Sequence, residues 1–318
     1  MQKAALLYNP QSGGNDRKRL SKVESALAVL RKANVEVNLI SSDSRHKAGK
    51  LAEQAIADGC DTIFACGGDG TIHNIVQVLA KSNVALAVLP MGTANALAHD
   101  LGIPLDLAAA AQASLLAVPR RISLGHIEYV DLKGNPKARY FVITAGAGVD
   151  AHLFYKLQTG TKQRIGMAAY YAQAWHLWFT YPMTRFECAC VESDSGEIRR
   201  ADVTELMCVR IRTFGGVVRE LVPGASLDSR HLRAVFCQTG SRMAFLAYVV
   251  RGMLGQHWRV PGIELATCSR IQCGYKSQEE ATRRKIYLEA DGELIGTLPA
   301  EITVVPDALT VLAPPTRA

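Results

Sequence analysis

The sequence predicts an α/β domain built on a doubly wound parallel sheet, followed by a second, antiparallel β domain. Three observations predict this. Up to residue 122, short apolar runs alternate with helical stretches, the pattern of a parallel sheet covered on both faces. Beyond it, β-rich runs take over, at Tyr140-Phe141-Val142-Ile143-Thr144, from Glu205 to Ile211 and from Arg233 to Cys237, which reads as mainly antiparallel. Finally, three strands of the first part each run into a turn of small residues just before a helix.

Strands are expected near residues 4–8, 35–40, 62–66 and 85–89. The first, Ala4-Ala5-Leu6-Leu7-Tyr8, ends in Asn9-Pro10-Gln11-Ser12-Gly13-Gly14, before a helix whose apolar positions include Leu20, Val23, Leu27 and Leu30. The second ends beside Ser41. The third, Thr62-Ile63-Phe64-Ala65-Cys66, enters Gly67-Gly68-Asp69-Gly70-Thr71, and the helix after it places Ile72, Ile75, Val76 and Leu79 on one face. The fourth, Leu86 to Leu89, runs into Pro90-Met91-Gly92-Thr93-Ala94-Asn95-Ala96. Glycines let a backbone approach an anion closely, and the N–H groups at a helix start point toward it. Asp69 is the exception, because an acid in an anion-binding turn needs a metal or a helix N-terminus to compensate it, which makes Mg²⁺ on a nucleotide phosphate its natural partner. Any one such turn is equally an ordinary strand-to-helix junction with an Asp cap. Three turns on the edge formed by the C-terminal strand ends would converge on one ligand.

The 318 residues, 48% hydrophobic and 20% charged, suit two domains with substantial cores. Eight cysteines are scattered without a Cys-x-x-Cys pair and read as reduced core thiols, with Cys188 and Cys190 expected on opposite faces of a strand. The formal charge of +7 favours anionic partners, either phosphates or an acidic membrane surface. No aromatic-basic motif points to nucleic acid. No stretch approaches a membrane span and the N-terminus has no signal-peptide pattern, so the expectation is a cytoplasmic protein, with peripheral contact at the inner membrane left open. Two aromatic, amphipathic helical stretches interrupt the second domain: Met167–Tyr181, with Tyr170, Tyr171, Trp175, Trp178, Phe179 and Tyr181, and Met243–Trp258, with Phe245, Tyr248, Val250 and Leu254. Burial against the β domain and seating on a bilayer are both open to them. The basic clusters Arg17-Lys18-Arg19, Arg45-His46-Lys47 and Arg283-Arg284-Lys285 are read as solvated surface, with anionic headgroups the alternative.

Four motifs occur in order: Asn9-Pro10-x-Ser12-Gly13-Gly14, then Gly67-Gly68-Asp69-Gly70-Thr71 with Asn74 after it, then Leu89-Pro90-x-Gly92-Thr93-x-Asn95, and late in the chain Asp291-Gly292-Glu293. The last, alone, reads as a hairpin turn. Together they resemble the diacylglycerol kinase catalytic domain family, shared with sphingosine and ceramide kinases and with soluble bacterial lipid kinases, over nearly the whole chain. The resemblance implies an N-terminal nucleotide domain of the NAD-kinase and phosphofructokinase type over 1–122. It implies a C-terminal β-sandwich domain for the lipid over 123–305 and an active site in the cleft between them. In several relatives the C-terminal tail packs back on the first domain, a place open here to residues 306–318 through Leu309-Thr310-Val311-Leu312. The two aromatic helices become candidates to line an acyl-chain pocket.

The implied reaction is transfer of the γ-phosphate of ATP, with Mg²⁺, to the hydroxyl of a lipid such as diacylglycerol presented at a membrane surface. It demands positioning, charge neutralisation and a base near the acceptor. By position in the motifs, Asn9, Pro10, Gln11, Ser12, Gly13, Thr93 and Asn95 are nucleotide-binding residues, and Ser41 stands where relatives hold a nucleotide-contacting Thr. Gly67, Gly68, Gly70 and Thr71 cradle the phosphates, and Asp69 holds Mg²⁺. Glu293 is the expected acceptor base, with Asp291 sharing that role or orienting the acceptor. Two departures stand out. Many bacterial diacylglycerol kinases have Asp where this chain has Ala96, so Asn95-Ala96-Leu97-Ala98 looks closer to the sphingosine-kinase branch. Relatives also carry Asp-Asp-Gly where this chain has Leu227-Asp228-Ser229-Arg230-His231; the lost carboxylate argues against the structural Mg²⁺ it helps bind, with Asp228 the substitute ligand. A sphingosine- or ceramide-type kinase, an NAD kinase, which shares the Gly-Gly-Asp-Gly turn, and a catalytically silent nucleotide-binding regulator remain as alternatives. Self-association is left open.

Overall fold

The computed structural model describes residues 1–10, 19–42, 47–148, 183–214 and 220–314. Gln11, Ser12, Gly13 and the stretch Met167–Tyr181 lie outside the described residues. The chain forms two compact units, one from Met1–Leu124, Thr213–Arg219 and Val305–Ala318, the other from Gly125–Arg212 and Glu220–Val304.

In the first unit, strands β1 (Lys3–Tyr8), β2 (Glu36–Ser41), β3 (Thr62–Gly67) and β4 (Ala85–Pro90) are joined by helices α1 (Arg19–Lys32), α2 (Ala48–Ala57) and α3 (Asp69–Leu79). β1 pairs in parallel with β2 on one side and β3 on the other, and β3 pairs in parallel with β4. The order 2-1-3-4 therefore reverses at β1/β3, the switch point where open α/β sheets bind ligands. Every residue of β3 and β4 is buried, whereas β2 is largely exposed, as befits inner strands covered on both faces and an edge strand. Ile72, Ile75, Val76 and Leu79 of α3 are all buried, as are Val23, Leu27 and Leu30 of α1. Leu20, grouped with them by spacing, is instead 53% exposed. Arg19, read as solvated surface, is buried and donates to the Pro10 carbonyl. Beyond β4, helices α4 (Ala96–Asp100) and α5 (Leu107–Leu116) follow, α5 capped by the Asp106 carboxylate, which accepts the Ala109 N–H at 2.9 Å. Late in the chain, Thr310, Val311 and Leu312 add a further parallel strand beside Ala85, Leu86 and Ala87 of β4.

The second unit opens with β5 (Val118–Val130), which crosses from the first, then β6 (Pro136–Phe141), β7 (Thr144–Gly148), β8 (Phe186–Glu192), β9 (Ile198–Val203), β10 (Glu205–Val209), β11 (Leu232–Cys237), helix α6 (Arg242–Met253), β12 (Ile263–Gly274), helix α7 (Gln278–Arg283), β13 (Tyr287–Ala290) and β14 (Glu293–Ala313). The pairings are antiparallel and return on themselves. β14 pairs β13, then come β7, β10, β11 and β12, and the second half of β12 pairs back onto β14 through Arg270↔Thr303 to Cys273↔Ala300. Closure of this kind removes edges within the ring, while β8 and β9 extend outward from β12 and β6 pairs along β5. Phe141, Phe186, Leu206, Leu232, Phe236, Ile271, Leu288 and Ile302 fill the interior. All eight cysteines are buried and free. Cys188 and Cys190, expected on opposite faces, both point inward, because residues two apart on a strand share a face. The run Tyr140–Thr144 is not one strand: β6 ends at Phe141 and β7 begins at Thr144, since the backbone N–H groups of this corner turn toward a carboxylate described below.

Candidate functional site

In the first unit, the strand registers bring the turns level. Tyr8 stands opposite both Ser41 and Cys66, and Gly67 opposite Pro90, so Asn9-Pro10 and the turns after β3 and β4 leave one edge of the sheet. Main-chain bonds then lock them in pairs. The Asn9 N–H donates to the Cys66 carbonyl at 3.0 Å, the Ser42 N–H to the Tyr8 carbonyl at 2.8 Å and the Met91 N–H to the Gly67 carbonyl at 2.9 Å. Asn9, 5% exposed, donates from Nδ2 to Thr71 Oγ1 at 3.3 Å, tying the first turn to the second across the switch point.

Three glycines are required here by closeness, not by positive φ. A Cβ on Gly67 would lie 2.5 Å from Thr71 Oγ1, one on Gly68 3.1 Å from Gly92 Cα, and one on Gly92 2.5 Å from Gly68 Cα and 2.9 Å from Asn95 Oδ1. The second and third turns thus touch backbone to backbone. Gly68 is the extended residue preceding α3, and Asp69 sits in the first turn of that helix, where the helix dipole favours a negative charge. The Thr71 and Ile72 N–H groups close the first turn of α3 onto the Gly68 carbonyl at 2.9 and 3.2 Å, at the edge the turns share. Asn95 takes a left-handed backbone, φ 49°, and its side chain folds onto Gly92, accepting the Gly92 N–H at 2.7 Å and donating to its carbonyl at 3.0 Å. Asn9, Thr71 and Asn95 therefore shape the turns from within, while Ser41, Pro10 and Thr93 are exposed on the same edge.

In the second unit, Asp291-Gly292 is a two-residue hairpin loop, both residues at positive φ (49° and 77°), closed by the pair Ala290↔Glu293. Asp291 is 6% exposed. Its Oδ1 accepts the N–H groups of Val142, Ile143 and Thr144 at 3.2, 2.7 and 3.2 Å, and its own N–H donates to the Thr144 carbonyl at 2.8 Å. This carboxylate breaks the run 140–144 into two strands. Glu289, which sequence reasoning missed, is also buried; it accepts the Gly292 N–H at 2.8 Å and the Thr144 hydroxyl at 3.2 Å. An acid in the apolar strand Tyr287-Leu288-Glu289-Ala290 was the available signal. Of the three acids at 289, 291 and 293, the first two bind the backbone of the hairpin and its neighbour, and Glu293 is the partly exposed one.

Asp228 is exposed, and the carbonyls of Leu227, Ser229 and His231 around it accept from the Arg210 guanidinium. Among the described residues, no group of three or more His, Cys, Asp or Glu side chains could hold a metal ion, and no helix is long and apolar enough to cross a membrane. An ion at Asp69 would therefore draw its remaining oxygens from bound phosphate and water, a donor set that suits Mg²⁺.

Close-packed glycine turns at the switch point of a parallel sheet, followed by a closed antiparallel sheet bearing an acid hairpin, place the chain in the class of proteins that join an α/β domain to an antiparallel β domain. The model of the diacylglycerol kinase catalytic domain matches residues 3–127, and that of the YegS C-terminal NAD kinase beta sandwich-like domain matches residues 143–313. The chain belongs to the diacylglycerol kinase family. It is 27% identical to a diacylglycerol kinase of Bacillus subtilis over 100% of this chain and 98% of that one. Among solved structures it resembles a diacylglycerol kinase from Bacillus anthracis (TM-score 0.71, 18% identity, 99% of this chain and 97% of the other). Yeast NADH kinase, solved with NADH, is similar at TM-score 0.52 and 13% identity, over 99% of this chain and 84% of the other. These structural likenesses concern the fold.

Proposed function

We propose that the chain is an ATP- and Mg²⁺-dependent lipid kinase that phosphorylates the hydroxyl of a diacylglycerol-type lipid. The observation that carries this reading is the convergence of Asn9 with the turns after β3 and β4 at the β1/β3 switch point, the last two packed so closely that a Cβ on Gly92 would lie 2.5 Å from Gly68 Cα. Small residues at such turns let a main chain, rather than bulky side chains, approach an anion. Asp69 would hold Mg²⁺, which when bound would neutralise phosphate charge. Thr71 and Asn9 fix the second turn against the first, Asn95 fixes the third, and Thr93 and Ser41 offer hydroxyls along the rim.

Glu293 takes the proton of the acceptor hydroxyl, and Asp291 and Glu289 hold the hairpin so that Glu293 is presented in one position. The sphingosine- or ceramide-type acceptor remains the second reading because of Ala96. It is buried at the start of α4, so the acid found there in many bacterial relatives would be desolvated in this chain.

The lipid is reached at a membrane surface through α6. The helix and the segment after it divide their apolar residues: Phe245 and Tyr248 are buried, while Met243 and Val250, and beyond the helix Leu254 and Trp258, are exposed. Beside it a cavity of about 590 Å³ is lined by Arg199, Arg251, His257 and Arg259, with Glu264, the partner of Arg199. Exposed apolar groups beside cations suit an anionic bilayer.

The test is incubation of purified protein with γ-labelled ATP, Mg²⁺ and mixed micelles carrying diacylglycerol, ceramide or sphingosine, with NAD in a separate arm. Label is expected in diacylglycerol. Label in the sphingoid lipids supports the second reading, label in NAD overturns both, and a protein that binds ATP but labels nothing is a silent regulator.

A further inference from the structure

The loop Leu227–His231 leads into β11, and its carbonyls at Leu227, Ser229 and His231 alternate along the chain and point to one place. Arg210, just beyond β10 and 0% exposed, fills that place. Its Nη1 donates to the His231 carbonyl at 2.8 Å, and its Nη2 to the carbonyls of Ser229 at 2.7 Å and Leu227 at 3.2 Å. The loop is closed on itself as well. The Ser229 hydroxyl donates to the His231 carbonyl and accepts the His231 N–H, both at 3.1 Å, and the Ser229 N–H donates to the Ser226 carbonyl at 3.2 Å.

Inward carbonyls at alternate residues form a ring that a main chain offers to a cation. Mg²⁺ would require near-octahedral oxygens at about 2.0–2.1 Å, and Ca²⁺ six to eight at about 2.3–2.6 Å. Here the carbonyl lone pairs face a guanidinium whose fixed fork spans them, and the loop's one acid, Asp228, is exposed. The residues do not fit the structural Mg²⁺ that the resemblance implies for this stretch. We propose that the Arg210 guanidinium is the resident cation of the Leu227–His231 loop, standing in for a divalent ion, so that the fold of the second unit is independent of metal. Burial lowers the Arg210 pKa from its ordinary value to about 10, and the group stays charged at neutral pH. The nearby Asp228 favours that charge.

The decisive measurement uses the full chain carrying Asp69→Asn, which removes the metal ligand at the nucleotide turns, without nucleotide. Thermal unfolding in excess MgCl₂, in excess CaCl₂ and in chelator should superimpose, and elemental analysis after dialysis should find no stoichiometric divalent ion. A melting temperature that rises with either cation, or a retained ion at one per chain, overturns the proposal. Arg210→Met, which leaves three buried carbonyls without their donor, should lower the melting temperature by on the order of 10 °C, and Arg210→Lys should recover only part of it, since one ammonium cannot reproduce the fork. An Arg210→Met protein as stable as its parent also refutes the role. Should both variants fail to fold, the chelation and metal-content measurements still decide.

Discussion

Replacing Gly92 by Ala tests whether the close packing of two turns carries catalysis. The added Cβ would lie 2.5 Å from Gly68 Cα, whereas non-bonded carbons rest at about 3.5–4.0 Å. The two turns must therefore part by about 1 Å. The contact cannot be relieved through Asn95, because its Oδ1, 2.9 Å from the same Cβ, is the acceptor that holds the Gly92 N–H. Overpacking of this size costs about 1–3 kcal/mol, which a domain with a stability of about 5–15 kcal/mol survives. The expected outcome is thus a folded protein whose turns no longer meet the same triphosphate. A displacement of about 1 Å lowers turnover by about 100-fold, with weakened ATP affinity. Gly68→Ala, where the contact is 3.1 Å, should show the same defect more weakly. Gly240→Ala, with nothing within 4 Å of the new atom, should leave turnover unchanged. Turnover, ATP titration and thermal melting on all three variants give the answer. A Gly92→Ala enzyme with wild-type turnover and ATP affinity would refute the claim that this backbone contact shapes the phosphate site.

Asp69→Asn should abolish turnover by weakening the Mg²⁺–nucleotide complex; near-wild-type activity at ordinary Mg²⁺ removes Asp69 from the mechanism. Glu293→Gln should bind a non-hydrolysable ATP analogue normally while turnover falls by about 100-fold or more; lost binding would move Glu293 to the nucleotide or metal site. Asp291→Ala should act on stability first, since it strands the N–H groups of Val142, Ile143 and Thr144 and places Ala at φ 49°. Its melting temperature should fall well below that of Asp291→Asn, which tolerates the left-handed backbone better and retains an acceptor, and equal melting of the two would deny the anchor. Exchanging Met243, Val250 and Leu254 for Ser should reduce flotation with anionic vesicles without changing the melting temperature, and wild-type binding should weaken with salt. Equal flotation of variant and wild type would exclude this face as the docking surface.

Local chemistry is what the sequence made readable. Apolar runs without alternation at 62–66 and 86–89 marked inner parallel strands, because burial on both faces demands it. The turns at Asn9, Gly67 and Gly92 were legible because few residues permit such a turn. Even so, spacing assigned Leu20 to the core and Arg17-Lys18-Arg19 to solvent, and the structure reversed it at Leu20 and Arg19, since which face of α1 is covered depends on what packs against it. The division of labour among the acids was also beyond the sequence. Asp291 and Glu289 are residues of the same kind as Glu293, but contacts with Val142, Ile143 and Thr144, about 150 positions away along the chain, bind Asp291 into the frame and leave Glu293 partly exposed.

Arg210 makes the same point most fully. In the sequence it is one basic residue at the end of an apolar run, and the loss of an acid at Ser229 could only suggest that a metal was missing. What replaces the metal is 17 to 21 residues from the carbonyls it binds, a separation at which no periodicity or motif operates. Sequence alone determined which backbone conformations and strand environments were available. Only the tertiary structure decided which polar groups meet, because buried carbonyls and carboxylates must find partners wherever the fold brings them.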